Sequence, residues 1–257
     1  MPEDQPAVLT ERRDGVLVIT INRPEVRNAV DAAVAEGIGT ALDALDAEAD
    51  LTVGVLTGAG RGFSAGMDLK AFVAGESPRV EGRGFAGIVQ RSARKPLIAA
   101  IEGFAVAGGL EIALACDLVV ASREARLGIP EAKRALVAAG GALRRLPQRI
   151  PLGVALEMAL TGDPITAERG YELGLVNRVT EPGGAVGAAL ELAAAIAANG
   201  PLALDATKAI VYRQGDWSDD EFWAEQAKLS DPVFTSEDAR EGAVAFSEKR
   251  DPMWKGR

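Results

Sequence analysis

Long apolar runs and amphipathic segments alternate along the first half of the chain. Residues 15–21 (GVLVITI), 52–57 and 96–102 are rich in aliphatic and β-branched side chains, with no regular polar alternation. Such continuous runs are typical of strands that are covered on both faces of a sheet. Two shorter runs, 117–121 and 125–128, predict further strands. The pattern therefore predicts buried sheets rather than half-exposed ones.

Helical spacing separates these strands. Residues 26–48 carry apolar side chains at roughly helical intervals and predict a long amphipathic helix. Residues 85–94 and the largely apolar segment 108–115 predict two shorter helices. Residues 70–84 are polar and contain Gly and Pro, so we expect a mobile loop there. Residues 1–15 are expected to be a polar lead-in.

The second half of the chain is mostly helical in pattern. Residues 176–179 alone are expected to be extended. The predicted helices cover 143–150, 153–160, 166–173, 185–198, 201–212, 219–229 and 236–248. Strands alternating with helices, followed by a run of helices, predict an α/β fold with a C-terminal helical layer. That layer either caps the sheets or makes subunit contacts, and the pattern does not choose between them.

Composition narrows the classes of function. The chain has 257 residues, 48% of them apolar, and a formal net charge of −9. A protein that binds nucleic acid or an anionic membrane needs a basic surface, so we expect neither partner. The opening residues show no signal-peptide pattern, and no run reaches the roughly 18 apolar residues of a membrane span. We therefore expect a soluble, cytoplasmic protein.

The absence of histidine changes the candidate chemistry most. With no histidine and one cysteine, Cys116, the sequence excludes Ser-His-Asp and Cys-His catalysis, His-ligated metals and an internal disulfide. Cys116 is expected to pack in the apolar helix. Proton transfer then falls to carboxylates, lysine, tyrosine or the thiol, and no metal site is predicted.

Two glutamates lie in sequence contexts that are unusual for surface carboxylates. Glu111 is the only charged residue in the segment 105–116, and Glu131 follows an Ile-Pro pair after a predicted strand. Burial raises the pKa of a carboxyl group toward neutrality, which suits general acid–base work. Each has an ordinary alternative. Glu111 could be a first-turn residue that interacts with the helix dipole, and Glu131 a first-turn residue after proline.

A glycine-rich loop and a glycine pair add candidate hydrogen-bond donors. The loop GAGRGFSAGMDL lacks the Lys-Ser/Thr ending of a phosphate loop, and Phe63 replaces the third glycine of a dinucleotide fingerprint. Ala65 and Gly66 would expose backbone N–H groups, and Gly108 begins a helix whose first N–H groups are unpaired. One N–H from each segment would form an oxyanion hole. The alternatives are a simple turn and close helix–strand packing, and Asp68 either caps a helix or contacts a ligand.

The order of these pieces is more specific than any one of them. FSAGMDL, AGGLE and IPEAK follow one another before a glycine pair at 140–141, between an NRP…RNA opening and LTG…LGLVN and AF.EKR segments. In this order the chain strongly resembles the enoyl-CoA hydratase/isomerase (crotonase) family over essentially its whole length. The resemblance implies a crotonase-like ββα spiral core of stacked sheets at residues 1–195. A C-terminal helical trimerisation region would follow at 196–257.

The resemblance also implies an activity. By analogy, the N–H groups of Ala65 and Gly108 bind the thioester oxygen, while Glu111 and Glu131 hold the attacking water and deliver a proton to Cα. Water would add reversibly across the 2,3 double bond of a trans-2-enoyl-CoA and give a 3-hydroxyacyl-CoA. Relatives that isomerise or decarboxylate typically lack one or both glutamates. The pair therefore favours an enoyl-CoA hydratase, a lyase.

The family pattern implies the remaining contacts as well. The positions expected to contact CoA and the acyl group are Arg27, Ala29, Ala65, Gly66, Met67, Asp68, Leu69, Gly108, Phe246 and Lys249. CoA is part of the substrate, so no separate cofactor is implied. Family members are usually trimers paired into hexamers, and we expect a homo-oligomer of that kind.

Departures from the pattern leave alternatives open. Ala107 replaces the first glycine of the family's triple glycine, and residues 136–139 (LVAA) replace a proline-containing segment of the acyl pocket. The PEAKR and LRRLP segments also resemble crotonobetainyl-CoA (carnitinyl-CoA) hydratases. That activity and a Δ3,Δ2-enoyl-CoA isomerase are the alternative enzymes. A noncatalytic or RNA-binding relative is the alternative from another class, and the net charge opposes it.

Overall fold

The largest sheet of the protein has six strands. The computed structural model describes residues 6–257. The strands are β1 Val8–Arg13, β2 Val16–Ile21, β3 Val53–Gly58, β4 Arg79–Val80, β5 Gly84–Phe85, β6 Leu97–Ile101, β7 Phe104–Val106, β8 Leu118–Ser122, β9 Arg126–Gly128, β10 Ile165–Thr166 and β11 Arg178–Thr180. The large sheet has the order β1-β2-β3-β6-β8-β11, and only β1 runs antiparallel to its neighbour. β9 joins β7 and β10 in a three-stranded sheet, and β4 pairs with β5.

Helices follow or cover these strands. They are α1 Ala32–Ala47, α2 Leu69–Val73, α3 Gly108–Ala115, α4 Ala142–Arg149, α5 Leu152–Thr161, α6 Ala167–Glu172, α7 Ala185–Ala197, α8 Pro201–Arg213, α9 Asp219–Phe234 and α10 Glu237–Glu248. Short 3-10 helices lie at Pro24–Val26, Pro130–Arg134 and Gln214–Asp216. Strands alternate with helices and give way to helices near the C-terminus, so the predicted α/β fold class is confirmed.

The sheet is buried on both faces, as the continuous apolar runs predict. Along β6, Leu97, Ala99 and Ile101 belong to the larger core cluster. Ile98 and Ala100 belong to a second cluster, which contains the buried alanines of α7. Because side chains alternate across a strand, a single strand contributes residues to both core clusters. This explains why the strand sequences show no polar alternation.

The predicted helix at 85–94 is wrong. After β5 the chain runs through irregular turns, and Ala86 and Gly87 have φ values of 54° and 67°. Positive φ breaks a right-handed helix. A Cβ on Gly87 would lie 2.3 Å from the Ala35 carbonyl oxygen, so this segment packs directly against α1. Ile88 and Val89 are buried there, which accounts for the apolar pattern without a helix.

Smaller differences occur near the N-terminus. The helix predicted at 26–48 begins only at Ala32, because Arg27 and Asn28 have positive φ and Asp31 caps the helix by accepting from the Val34 N–H. The polar lead-in contains β1, an edge strand whose side chains are mostly exposed. The segment 70–84, expected to be a loop, contains most of α2 and all of β4.

Lys208 joins the C-terminal helices to the core. Its ammonium group, on α8, donates to the carbonyl oxygens of Ala93 and Lys95, each at 2.9 Å, and pairs with Asp117 Oδ2 at 2.7 Å. The predicted boundary after residue 195 falls inside α7, which packs on the sheet. The helices α8 to α10 therefore follow a helix that belongs to the core.

One further property of the helices bears on the expected absence of a membrane segment. Within residues 6–257, no single helix has both the length and the apolar character needed to cross a membrane. One bent pair, Ala185–Ala197 with Pro201–Asp216, reaches that length and composition together, with an angle of 107° between its parts.

Candidate active site

The protein contains a cavity of about 370 Å³. Five stretches of chain line it: the turn at Arg27, the loop before α2, the β4–β5 pair, the end of β7 with the first turn of α3, and the 3-10 helix Pro130–Arg134 with the residues that follow it. The lining residues are Arg27, Ala65, Met67, Leu69, Arg79, Phe85, Val106, Ala107, Gly108, Glu111, Pro130, Glu131, Arg134, Leu136, Val137, Ala139 and Gly140. The four residues predicted to be catalytic, Ala65, Gly108, Glu111 and Glu131, all lie among them.

Glu111 is a buried carboxylate held by backbone. It stands in the first turn of α3, a helix in which every residue is buried, and is only 4% exposed. The Ala142 N–H donates to its Oε1 at 3.2 Å. Burial raises the pKa of Glu111 above its ordinary value, while the amides of Ala142 and Gly140 and the positive charge of Arg145 partly oppose that rise. Burial outweighs these opposing groups, so the backbone amides and Arg145 offset only part of the desolvation of the carboxylate.

Glu131 has different surroundings. It lies in the 3-10 helix Pro130–Arg134, and its Oε2 is buried without a hydrogen-bond partner. Burial raises the pKa of Glu131, and the negative charge of Glu111 raises it further, while its own backbone N–H and the charge of Arg134 lower it. A buried oxygen without a partner favours the protonated form, because that form carries no charge to solvate. The two carboxyl groups thus differ in what stabilises them.

The amide of Ala65 is not free, which corrects the predicted oxyanion hole. Its N–H donates to the Arg27 carbonyl oxygen at 3.0 Å. Val30 pairs with Met67 as an isolated parallel bridge, in which the Val30 N–H donates to the Gly66 oxygen. Within residues 6–257, no protein acceptor pairs with the N–H of Met67 or of Gly108. Met67 therefore replaces Ala65 as the candidate donor, and Ala65 remains as a wall of the cavity.

Close backbone packing brings the two donor segments together. A Cβ on Gly66, whose φ is +86°, would lie 2.6 Å from the Gly108 nitrogen. A Cβ on Gly109 would lie 2.1 Å from the Ser64 carbonyl oxygen. Only glycine permits such approaches. The glycines of both motifs thus place the Met67 loop against the first turn of α3.

Ala107 directs the start of α3. It is the N-cap residue, and its φ of 52° and ψ of −131° fall in a region that glycine favours and alanine rarely adopts. Its N–H donates to the Gly128 carbonyl oxygen at 2.9 Å, and its carbonyl oxygen accepts from the Leu110 and Glu111 amides. The replacement of the family's first glycine is therefore accommodated by a strained backbone rather than by a different path of the chain.

Asp68 has a structural role in this chain. Its Oδ1 accepts from the Lys70 and Ala71 N–H groups and caps α2, while Oδ2 pairs with Arg23 at 3.1 Å. The capping alternative is thus the observed one. Arg23 also donates to the carbonyl oxygen of Ala29, at 2.7 Å, and pairs with Asp31. Asp68 and Ala29 support the wall of the cavity without lining it.

Two predicted contacts lie elsewhere in the chain. Phe246 is 88% exposed on α10, and Lys249 follows that helix as its C-cap residue. Neither Phe246 nor Lys249 lines the cavity, so their contact with CoA stays a prediction. Arg27, Met67 and Leu69, by contrast, lie in the cavity wall.

Arginines dominate the charge around the carboxylates. Arg27, Arg79 and Arg134 line the cavity together with Glu111 and Glu131, which leaves a formal lining charge of +1. No ion pair within residues 6–257 involves any of these three arginines, although Arg27 lies over the Phe104 ring. The same part of the chain contains no cluster of His, Cys, Asp or Glu that could hold a metal ion.

Comparison with known proteins decides the family. The model of the enoyl-CoA hydratase/isomerase family matches residues 11–257. The chain belongs to the enoyl-CoA hydratase/isomerase family. A crystal structure of enoyl-CoA hydratase EchA1 from Mycobacterium marinum superposes with a TM-score of 0.97 and 57% identity, covering 98% of this chain and all of that one. The predicted crotonase-like fold is thereby confirmed.

Two similar proteins have names that refer to different activities. Enoyl-CoA hydratase EchA19 of Mycobacterium tuberculosis is 41% identical over 99% of this chain and 98% of its own. A carnitinyl-CoA dehydratase of Salmonella arizonae is 40% identical over 95% of this chain and 97% of its own. Sequence similarity alone thus does not decide between an enoyl-CoA hydratase and the first alternative, a carnitinyl-CoA hydratase.

Several lining residues of this family member escaped the sequence prediction. Phe85 was placed in a helix, but its ring packs against Gly108, where a Cβ would lie 2.6 Å from it. Arg79 lies opposite Phe85 in the β4–β5 pair, and Arg134 follows Glu131 by one turn. Only Arg134 left a readable signal, since it shares a short helix with a candidate acid. The position of Arg79 depends on a pairing that the sequence does not reveal.

Proposed function

We propose that this protein is an enoyl-CoA hydratase that adds water reversibly across the 2,3 double bond of a trans-2-enoyl-CoA. The observation that carries the proposal is one cavity in which two differently stabilised carboxyl groups face two unpaired backbone amides. Carboxylates can protonate or deprotonate carbon next to a thioester only if the developing enolate oxygen is stabilised. The carboxyl groups and the backbone amides therefore contribute to catalysis only in combination.

The thioester oxygen would bind to the amides of Met67 and Gly108. Gly108 is the first residue of an eight-residue helix, so its N–H points from the positive end of the helix dipole. Charge that develops on this oxygen in the transition state would be stabilised more than the ground-state carbonyl. The gain from one such donor is commonly about 3 kcal/mol in the activation barrier.

The different surroundings of the two glutamates assign their roles in hydration. Glu111, which accepts a backbone N–H, would be ionised and take a proton from the water as its oxygen bonds to C3. The π electrons of the double bond then move to the enolate, and Glu131, protonated, supplies the proton to C2. Product formation leaves Glu111 protonated and Glu131 ionised, and exchange with solvent restores both. The reverse reaction exchanges the roles.

The carnitinyl-CoA activity is the second candidate, because a relative of that name is 40% identical. The charge of the cavity bears on the choice. An acyl group with a trimethylammonium on C4 would lie near Arg134, whose charge already acts on Glu131. With a formal lining charge of +1, the cavity favours uncharged acyl groups and the CoA phosphates. This favours an ordinary enoyl-CoA as the substrate.

The assembly and location of the enzyme belong to the same proposal. Because Phe246 and Lys249 lie outside the cavity of their own chain, we propose that they contact the CoA bound by a neighbouring subunit. A homotrimer, or a hexamer built from two trimers, would supply one. We also propose that the enzyme is cytoplasmic and uses CoA only as part of its substrate, with no separate cofactor or metal.

A substrate panel tests the proposal. The purified protein would be assayed by loss of the enoyl thioester absorbance with crotonyl-CoA, longer and branched enoyl-CoAs, and crotonobetainyl-CoA, and by its gain with a 3-enoyl-CoA. We expect hydration of uncharged enoyl-CoAs. Glu111→Gln and Glu131→Gln should each lower kcat by about 10²- to 10⁴-fold, with unchanged circular dichroism. Near-wild-type activity in both variants, or isomerisation as the main reaction, would contradict it.

A further inference from the structure

Arg145 is a partly buried cation that lies behind the candidate base. It belongs to α4, and within residues 6–257 no carboxylate forms an ion pair with it. Its Nη2 donates to the Val89 carbonyl oxygen at 2.6 Å, and its Nη1 lies 3.5 Å from the Gly140 carbonyl oxygen. Burial lowers the pKa of Arg145 below its ordinary value. A buried cation without a carboxylate partner is costly, so a purpose for it is expected.

A turn of two glycines separates Arg145 from Glu111. A Cβ on Gly141 would lie 2.3 Å from Arg145 Nη1, and a Cβ on Gly140 would lie 2.3 Å from Glu111 Oε2. The turn is thus packed between a guanidinium on one side and a carboxylate on the other. The next residue, Ala142, donates its N–H to Glu111 Oε1. The backbone that binds the carboxylate is the same backbone that Arg145 contacts.

We propose that Arg145 is a positioning residue, which holds the 140–142 turn on the Glu111 carboxylate and places a positive charge behind that turn. This inference rests on the proposed role of Glu111 as a base. It assigns Arg145 no contact with substrate, since Arg145 does not line the cavity. Its effect passes through the Gly140 carbonyl and the Ala142 N–H.

The other charged groups around this pair are few. Glu131 faces Glu111 from the 3-10 helix Pro130–Arg134 and interacts with it unfavourably. Arg144 and Arg149, on α4 itself, and Tyr212, from α8, act on Arg145. Among the groups that act on Glu111, Arg145 is the cation. Removing its charge should therefore raise the pKa of Glu111 further.

Arg149 provides a matched control. It lies one turn further along α4, and its Nη2 donates to the Leu114 and Cys116 carbonyl oxygens at 3.0 and 2.7 Å. Like Arg145, it hydrogen-bonds this helix to neighbouring backbone, but it is not among the groups that shift the pKa of Glu111. A purely structural role for Arg145 predicts that the two arginines behave alike.

The first experiment compares Arg145→Met, Arg145→Lys and Arg149→Met in hydration assays across pH. For Arg145→Met we expect kcat to fall about 10- to 100-fold while KM changes little, because misplacing a catalytic group costs rate rather than binding. The acid limb of kcat/KM should move to higher pH. Arg145→Lys should return the limb close to wild type, and Arg149→Met should leave it in place. An unmoved limb in Arg145→Met, or an equal movement in Arg149→Met, would overturn the proposal.

A second measurement does not depend on activity. Thermal melts of the wild type and Arg145→Gln would be recorded from acid to neutral pH, in both the Glu111 and the Glu111→Gln backgrounds. We expect Arg145→Gln to lose more stability as pH rises with Glu111 present, and no such pH dependence with Glu111→Gln. The same dependence in both backgrounds would refute the coupling. If the wild type hydrates no enoyl-CoA yet the coupling is found, the proposed function fails and the pairing stands.

Discussion

The backbone of Gly140 lies against the carboxylate of Glu111 with no room for a side chain between them. A Cβ at residue 140 would lie 2.3 Å from Oε2 and 2.7 Å from the carboxyl carbon. Real Cβ contacts are never so short, so even alanine would displace the carboxylate. The position of the candidate base is thus set by a glycine on another segment of the chain.

Gly140→Ala should therefore damage catalysis more than stability. A displaced Glu111 would leave the water poorly aligned, and we expect kcat to fall about 100-fold. Gly153→Ala is the control, because a Cβ there meets nothing within 4 Å. Steady-state kinetics and thermal melts of both variants check this. Equal kcat values for the two variants would show that the contact does not constrain Glu111.

Gly66→Ala should disrupt the pair of amide donors. Its φ of +86° and a Cβ 2.6 Å from the Gly108 nitrogen would force the Met67 loop away from α3. We expect kcat/KM to fall about 100-fold or more, which is the scale for loss of one oxyanion donor. Gly75→Ala separates strain from contact, since its φ is +89° and its Cβ would meet nothing within 4 Å. A comparable loss in Gly75→Ala would attribute the effect to backbone strain.

Glu131→Gln should stabilise the protein as pH rises. Because the pKa of Glu131 is raised on folding, the folded protein binds the proton more tightly than the unfolded chain. Its stabilising contribution is complete below the ordinary pKa and is lost as pH rises through the raised one. Glutamine keeps the uncharged form, so the Tm difference from wild type should grow as pH rises above the ordinary pKa of a glutamate, about 4.3.

Melting curves at several pH values test this, with Glu124→Gln as an exposed control. The control should show a much smaller change with pH. A Tm difference for Glu131→Gln that shrinks as pH rises would mean that the carboxyl is stabilised in its ionised form.

Lys208→Met should destabilise the fold without altering the site directly. It would leave Asp117 without its cation and two carbonyl oxygens without their donor, in a pair whose side chains are each 14% exposed. Breaking such a buried pair costs about 3 kcal/mol or more. Urea denaturation at fixed protein concentration measures it. Lys228→Met, which breaks only the exposed pair with Glu225, should cost under about 1 kcal/mol. Similar losses of unfolding free energy in the two variants would show that Lys208 does not hold the C-terminal helices to the core.

What the sequence predicted depends on how local each feature is. Strands such as β2, β3 and β6 were readable because burial on both faces leaves continuous apolar runs. Glu111 could be predicted because an isolated carboxylate in an apolar segment is unusual, and Glu131 because it follows an Ile-Pro pair directly after a predicted strand. The apolar residues of the segment 85–94 suggested a helix. The segment instead packs against α1 with positive φ values at Ala86 and Gly87, and the local sequence does not predict that contact.

The identity of the donor amide was not readable for a related reason. In a regular extended segment the N–H groups of Ala65 and Met67, two residues apart, would point the same way, but the φ of +86° at Gly66 between them breaks that regularity. The choice of donor is fixed by the pairing of Met67 with Val30 and of the Ala65 N–H with the Arg27 oxygen. The motif FSAGMDL specifies the loop, whereas its orientation comes from a distant part of the chain.

The strained backbone conformation of Ala107 costs free energy during folding rather than during the reaction. A residue in such a conformation costs on the order of 1–3 kcal/mol, and the rest of the protein must hold it there. That cost falls during folding, before any ligand arrives. If the Gly108 amide binds the thioester oxygen as we propose, that amide is already aimed before the ligand enters, and little reorganisation would accompany the change of charge. Part of the catalytic work would then be completed when the chain reaches its native state.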